Sequence, residues 1–137
     1  MKAIAHRRDT KGLAHDVELR GHRLVADEPE ANGGEDQGPT PEELLAGSLA
    51  ACTAITIEMY ARRKEWDLGD VEVQSDYEQA DADGQTVFKV VLRLPSGLTP
   101  DQVEQLELIA AKCPVHRTLS GETRFEQTVE LVEPATG

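Results

Sequence analysis

The chain has 137 residues, of which 39% are hydrophobic and only 4% aromatic, so it is the size of one domain with a core of Leu, Val, Ile and Ala. Its 14 basic and 26 acidic residues give a formal net charge of −12, and such an acidic surface repels nucleic acids and anionic membranes. We therefore expect a single domain over residues 1–137 that binds neither nucleic acid nor membranes.

We expect the chain to carry no signal that directs it out of the cytoplasm. His6 and Arg7 interrupt the apolar residues near the N-terminus, and the longest mostly apolar stretch, residues 44–57, is expected to be too short to span a bilayer. A cytoplasmic location follows as the expectation. Structural disulfides are rare there, so a pair of cysteines more often does redox work or binds a metal ion.

The first elements along the chain are predicted to be short strands. Alternating or β-branched residues predict them at residues 2–7, 13–20 and 22–27. Gly12 and Gly21 mark turns between them. Residues 28–38 are acidic and glycine-rich, which predicts a mobile surface loop.

A long helix is predicted to follow this loop. Thr40 is a favourable N-cap, Pro41 suits the first helical position, and Glu43 completes a capping box. The helix is expected to end near Arg63. Its middle, residues 46–54, is small and apolar on almost every face, which predicts burial on several sides.

The second half of the chain is predicted to contain a hairpin and a second helix. Alternation after Gly69 and over residues 86–94 predicts two strands joined by a turn at residues 80–84. Thr99 and Gln102 form the capping box of the next helix, whose apolar side continues to Cys113 at its end. Pro114 would end that helix and open a short one, and residues 125–132 are predicted to form a final strand. This order predicts an α+β fold.

The two cysteines, Cys52 and Cys113, are the first candidates for chemistry. Free cysteines are usually small buried hydrophobes, and this interpretation remains open for both. A cysteine directly before the helix-opening Pro114 can, however, turn its sulfur toward helical N–H groups, which favours the thiolate. His116 and Arg117 would add positive charge, unless they merely form a solvated turn.

A zinc site is the competing functional interpretation. Cys113 and His116 have acceptable ligand spacing, and Cys52 would make a third ligand. The sequence has no C-x-x-C motif, and its other histidines, His6, His15 and His22, lack ligand spacing. We therefore expect no metal ion and no other cofactor, with zinc kept as an alternative.

Two segments resemble the motifs of the OsmC and Ohr family. The segment PEELLAGSLAAC, residues 41–52, is similar to the family pattern P-x-x-L-(x)-A-(small) that leads into its first redox cysteine. Cys113-Pro114-Val115 resembles the second motif, in which the other cysteine precedes a proline. The spacing of the motifs and the order of elements agree as well, so the resemblance covers essentially the whole chain.

This resemblance implies an OsmC-like fold, with antiparallel sheets around two central helices of an intertwined homodimer. It also implies reduction of organic hydroperoxides at the subunit interface, with Cys52 as the peroxidatic and Cys113 as the resolving cysteine. Glu42 matches the family's carboxylate, and Arg20 or Arg23 is the candidate for its arginine, with Arg117 as a further possibility. The His-Arg pair after Val115 departs from the Ser-containing Ohr version and favours the broad OsmC-like branch.

The implied chemistry places specific demands on these residues. A positive group must stabilise the Cys52 thiolate, Cys113 must condense with the resulting sulfenic acid, and an external dithiol must reduce the disulfide. Ten helical residues rise ~15 Å, so Glu42 would reach the site from the other subunit and orient the arginine. The alternative function is a ligand-binding or regulatory protein that keeps the fold without significant turnover.

Overall fold

The structure is a computed structural model that describes residues 1–80, 82 and 84–134. The described residues form strands β1 (Ala3–Arg7), β2 (His15–Leu19), β3 (His22–Ala26), β4 (Glu72–Glu78) and β5 (Val87–Arg93). The helices are α1 (Pro41–Arg63), α2 (Pro100–Ala110) and α3 (Pro114–Ser120), with a 3-10 helix at Glu30–Asn32. Separate antiparallel sheets and helices confirm the α+β class, whereas a single domain over residues 1–137 stays a prediction.

The three N-terminal strands that the sequence predicts are present, and they form one antiparallel sheet in the order β1-β2-β3. A two-residue turn, Arg20-Gly21, joins β2 to β3. Both residues have positive φ, +49° and +82°, the conformation that matches the twist of a tight hairpin. Glycine adopts it without a steric cost, which explains Gly21.

The loop over residues 28–38 is built around a buried carboxylate, so the prediction of a mobile loop is wrong. Asp27 accepts hydrogen bonds from the backbone N–H groups of Glu28, Glu35 and Gln37, at 2.7, 3.3 and 3.0 Å. Gly34 packs so closely that a Cβ there would lie 1.9 Å from the Glu28 carbonyl oxygen. The loop leads directly into the N-cap of α1.

Helix α1 begins as its capping box predicts. The Thr40 hydroxyl accepts from the Glu43 N–H at 3.1 Å, and the Glu43 carboxylate accepts from the Thr40 N–H at 2.8 Å. Within the chain the helix buries one stripe, Leu49, Thr53, Ile57 and Ala61. Ile55 and Met59 on another face are exposed in the single chain, so burial on several sides, which requires a partner subunit, stays a prediction.

The length of α1 also corrects the expectation about membranes. With 23 residues the helix is long and apolar enough to cross a bilayer by length and composition, whereas the apolar stretch was expected to be too short. The core helix of a soluble protein passes the same test. Here α1 packs against β4, α2 and α3, and 22% of its apolar window is buried within the described chain.

The hydrophobic core lies between α1, α2 and the β4–β5 hairpin. Its buried members are Ile57, Ala61, Leu68, Leu106 and Ala110. Both hairpin strands alternate between half-buried and exposed residues, as predicted. The predicted turn at residues 80–84 includes two positions, 81 and 83, that lie outside the described residues.

Two predictions about the C-terminal half are wrong. Cys113 does not end the second helix, because α2 ends at Ala110 and Cys113 is instead the N-cap of α3. The predicted strand over residues 125–132 has no sheet partner among the described residues. Phe125 and Leu131 remain 87% and 96% exposed, because no sheet edge of the same chain lies beside them.

Candidate functional site

The two cysteines, far apart in sequence, meet where α3 packs against the middle of α1. Cys52 projects from α1 and is half-buried, whereas Cys113 is completely buried at 0% exposure. Both are free thiols, and the Cys113 thiol is close enough to be among the groups that raise the pKa of Cys52. The fold therefore places a partly accessible thiol beside an inaccessible one.

The sulfur of Cys113 accepts two hydrogen bonds. The backbone N–H of His116 donates at 3.3 Å, in the manner of an N-cap. The Thr53 hydroxyl donates from α1 at 3.8 Å. The prediction that the Cys113-Pro114 sequence turns the sulfur toward helical N–H groups is thus confirmed.

The surroundings of Cys52 act on its thiol in opposite directions. Burial, together with the neighbouring Cys113 thiol, raises the pKa of Cys52 above its ordinary value. The backbone N–H of Val115 and the hydroxyl of Thr56 hydrogen-bond to it and oppose this rise in pKa. Burial wins, so the thiol of an isolated chain is protonated at neutral pH.

The carboxylate Glu42 stands apart from both sulfurs. It is exposed in the first turn of α1, ten residues and ~15 Å of helical rise before Cys52. There it lines a cavity of about 340 Å³ together with Ser75 and Tyr77 of β4. The groups that shift the pKa of Cys52 do not include it.

The candidate arginines also lie away from Cys52 in the described chain. Arg23 forms an exposed ion pair with Glu18 across β2 and β3, at 3.2 Å. Arg20 lies in the tight turn, with its guanidinium 3.5 Å from the His22 ring. No arginine is among the groups that shift the pKa of Cys52 in the described structure, and Arg117 is exposed on α3.

The ligands proposed for zinc do not converge in the part of the chain that the structure describes. Within residues 1–80, 82 and 84–134, no three His, Cys, Asp or Glu side chains lie close enough together to hold a metal ion. Cys113 presents its sulfur to the His116 backbone N–H.

Sequence reasoning missed the two threonines whose hydroxyl groups hydrogen-bond to the cysteine sulfurs. Thr56 lies four positions after Cys52, a spacing that puts both on one helix face, so this pair was open to prediction. Thr53 contacts a sulfur sixty residues away. That contact depends on how α3 packs against α1, which no local pattern reveals.

Comparison with known proteins places this site in a family. A model of the family "OsmC-like protein" matches residues 34–128, a region that contains both cysteines. The chain belongs to the OsmC-like protein family. No curated protein sequence matches this OsmC-like chain.

Solved structures resemble the OsmC-like chain over most of its length. A protein described as an organic hydroperoxide resistance protein OsmC from Legionella pneumophila is 27% identical, with a TM-score of 0.63 and 88% of each chain covered. An osmotic-stress-induced and detoxification response protein from Psychrobacter arcticus is 21% identical, with a TM-score of 0.74, 86% of this chain and 87% of that one covered. OhrB of Bacillus subtilis, an organic hydroperoxide resistance protein, is 22% identical, with a TM-score of 0.57, 88% of this chain and 90% of that one covered. At these identities the last two show the fold alone.

Proposed function

We propose that this OsmC-like chain is a thiol peroxidase that reduces organic hydroperoxides through a Cys52 sulfenate and a Cys52–Cys113 disulfide. The observation that carries the proposal is the pairing of a half-buried thiol with a fully buried one at the contact of α1 and α3. The Legionella pneumophila neighbour is named as an organic hydroperoxide resistance protein, which supports the same chemistry.

The reaction has two steps that balance without a cofactor. The Cys52 thiolate attacks the outer peroxide oxygen, the O–O bond breaks, and the alkoxide leaves and takes up a proton to give the alcohol. Cys52 is then a sulfenic acid. The Cys113 thiolate attacks the Cys52 sulfur, the S–S bond forms, and hydroxide leaves as water after taking up a proton. An external dithiol reduces the disulfide.

The exposure of the two thiols supports this order of attack. A peroxide can approach the half-buried Cys52 but not Cys113, which is completely buried. Most residues in the three helical turns before Cys52, including Leu45 and Leu49, are apolar. Such surroundings suit an alkyl hydroperoxide better than hydrogen peroxide.

The raised pKa of Cys52 indicates what a single chain lacks. Burial raises that pKa, so attack at neutral pH requires a cation beside the sulfur. We propose that a homodimer supplies it, with Arg20 or Arg23 from the N-terminal strands and Glu42 of the other subunit orienting the arginine. A carboxylate directly beside the sulfur would raise the thiol pKa further, so Glu42 would act through the arginine.

Exposed apolar surface supports the homodimer. Ile55 and Met59 are exposed on α1, and Phe125 and Leu131 are exposed on the extended C-terminal segment. A second copy would bury this surface and offer the C-terminal segment a sheet edge. We place the protein in the cytoplasm on the grounds of its sequence, with an unidentified dithiol as reductant.

The second candidate function is a ligand-binding or regulatory protein without significant turnover. The observation that favours it is again the burial that raises the pKa of Cys52, because a protonated thiol attacks peroxides poorly. If no cation reaches the sulfur in the assembled protein, the fold and the thiol pair would remain without catalysis.

Steady-state consumption of cumene hydroperoxide with a dithiol distinguishes the two functions. We expect turnover with the wild-type protein and none with Cys52→Ser. Cys113→Ser should react once and then stop as a sulfenic acid, an over-oxidised acid or a mixed disulfide. Turnover no faster than in buffer would favour the binding or regulatory protein.

A further inference from the structure

Thr53 is an exception on the buried stripe of α1. The stripe otherwise carries the apolar residues Leu49, Ile57 and Ala61, whereas Thr53 is polar and only 2% exposed. Valine has the same shape, and it would fill this position without a hydroxyl to satisfy. A buried hydroxyl destabilises the fold unless it is hydrogen-bonded, so the partner of this hydroxyl is informative.

That partner is the sulfur of Cys113. The Thr53 hydroxyl donates to this sulfur at 3.8 Å. Thr53 is next to Cys52 in the sequence, yet its hydroxyl bonds to the other cysteine. Successive helical residues point about 100° apart, so Thr53 faces the buried sulfur while Cys52 occupies a neighbouring face. A neutral thiol is a weak acceptor, and a hydrogen bond becomes about twice as strong when its acceptor is ionised. The contact therefore contributes most when Cys113 is a thiolate.

We propose that the Thr53 hydroxyl holds the Cys113 sulfur in place and stabilises its thiolate during attack on Cys52, which makes Thr53 a positioning residue for disulfide formation. This inference rests on the proposed function, in which Cys113 attacks the Cys52 sulfur in the second step. In that step the S–S bond forms and the bond from the Cys52 sulfur to its leaving group breaks. When Cys52 is a sulfenic acid, the Cys113 sulfur is oxidised, the Cys52 sulfur is reduced to the disulfide level, and the hydroxide that leaves takes up a proton to give water.

The burial of Cys113 explains why the step needs such a donor. At 0% exposure the sulfur has no access to water, which would otherwise solvate its negative charge. In the described chain its donors are the Thr53 hydroxyl and the His116 N–H. Removing the hydroxyl would leave the thiolate with one donor and free the sulfur to turn.

The step can be isolated with 2,2′-dithiodipyridine, a small neutral disulfide that the acidic protein does not repel. The Cys52 thiolate attacks the probe, forms a mixed disulfide and releases one thiopyridone. The Cys113 thiolate then attacks the Cys52 sulfur, forms the protein disulfide and releases a second thiopyridone. Stopped-flow absorbance follows the two releases as separate phases, and neither requires a peroxide.

Thr53→Val should slow the second phase about tenfold, the effect of losing one hydrogen bond to a charged group, and leave the first phase at its wild-type rate. Thr53→Ser keeps the hydroxyl and should restore the second phase. Thr118→Val is the matched control, because the Thr118 side chain is exposed on α3, and it should leave both phases unchanged. If Thr53→Val fails to fold, Thr53→Ala removes the hydroxyl without adding bulk and should show the same slow second phase.

An unchanged second phase in both hydroxyl-free variants would overturn the inference. A second phase as slow in Thr53→Ser as in Thr53→Val would overturn it too, since packing of the methyl group would then be responsible. Failure of the proposed function looks different. Wild-type protein would then release both thiopyridones but leave cumene hydroperoxide unreduced.

Discussion

The variant Leu106→Ala tests how much the core between α1, α2 and the β4–β5 hairpin contributes to the free energy of unfolding. Its side chain is 0% exposed and packs with Ile57 and Ala61 of α1. Leu106→Ala removes about three methylene equivalents, each worth ~0.8 kcal/mol of transfer free energy. The lost transfer free energy is therefore ~2.4 kcal/mol. The cavity left behind adds a further cost, so the free energy of unfolding should fall by about 3–4 kcal/mol. A domain has ~5–15 kcal/mol in total, so this is a large share of its stability.

Urea unfolding followed by circular dichroism measures the change. Leu108→Ala is the matched control on the same helix, because Leu108 is 57% exposed and its truncation should cost no more than ~0.5 kcal/mol. Protein concentration must be equal in all samples, since dimerisation would make stability depend on concentration. Equal losses in the two variants would refute the packing of α2 described above.

Three further predictions concern the loop, the carboxylate and the assembly. Hydrogen bonds from backbone N–H groups, first that of Gln37 and then that of Glu28, lower the pKa of Asp27 from its ordinary value of 3.8. The ionised carboxylate therefore stabilises the fold above pH 3.8, and this contribution is lost as the pH falls through the lower pKa of the folded state. Thermal unfolding from neutral pH to about pH 3 should therefore show Asp27→Asn less stable than wild type at neutral pH and converging with it in acid; a constant difference would contradict this assignment. Glu42→Gln should slow cumene hydroperoxide reduction with little change in melting temperature, and an unchanged rate would leave Glu42 only its favourable place at a helix N-terminus. Sedimentation at micromolar concentration should give about twice 15.0 kDa, and a stable monomer would contradict both the homodimer and the shared site.

The sequence predicts those elements whose signals are local. The capping boxes at Thr40 and Thr99 involve residues three positions apart, and both helices begin where these boxes indicate. The alternation in the hairpin is also local, and the half-buried faces follow it. Each of these features depends on neighbours along the chain rather than on packing.

Features that depend on distant partners escaped prediction. Residues 125–132 have the pattern of a strand, but a strand also needs a neighbouring edge. The loop over residues 28–38 has the composition of a mobile segment, yet one buried carboxylate, Asp27, ties its backbone. The contact from Thr53 to Cys113 depends on the packing of α3 against α1. In the site itself, the Cys113-Pro114 motif predicted the N-cap sulfur, whereas the Thr53 donor required the structure.

Intact mass after treatment with one equivalent of an organic hydroperoxide tests the central claim most directly. If Cys52 attacks and Cys113 resolves, the wild-type protein should lose the mass of two hydrogens and both free thiols. Cys52→Ser should keep its mass, and Cys113→Ser should gain one oxygen before it over-oxidises. Wild-type protein that keeps its mass and two free thiols would contradict the peroxidase function, whatever its family.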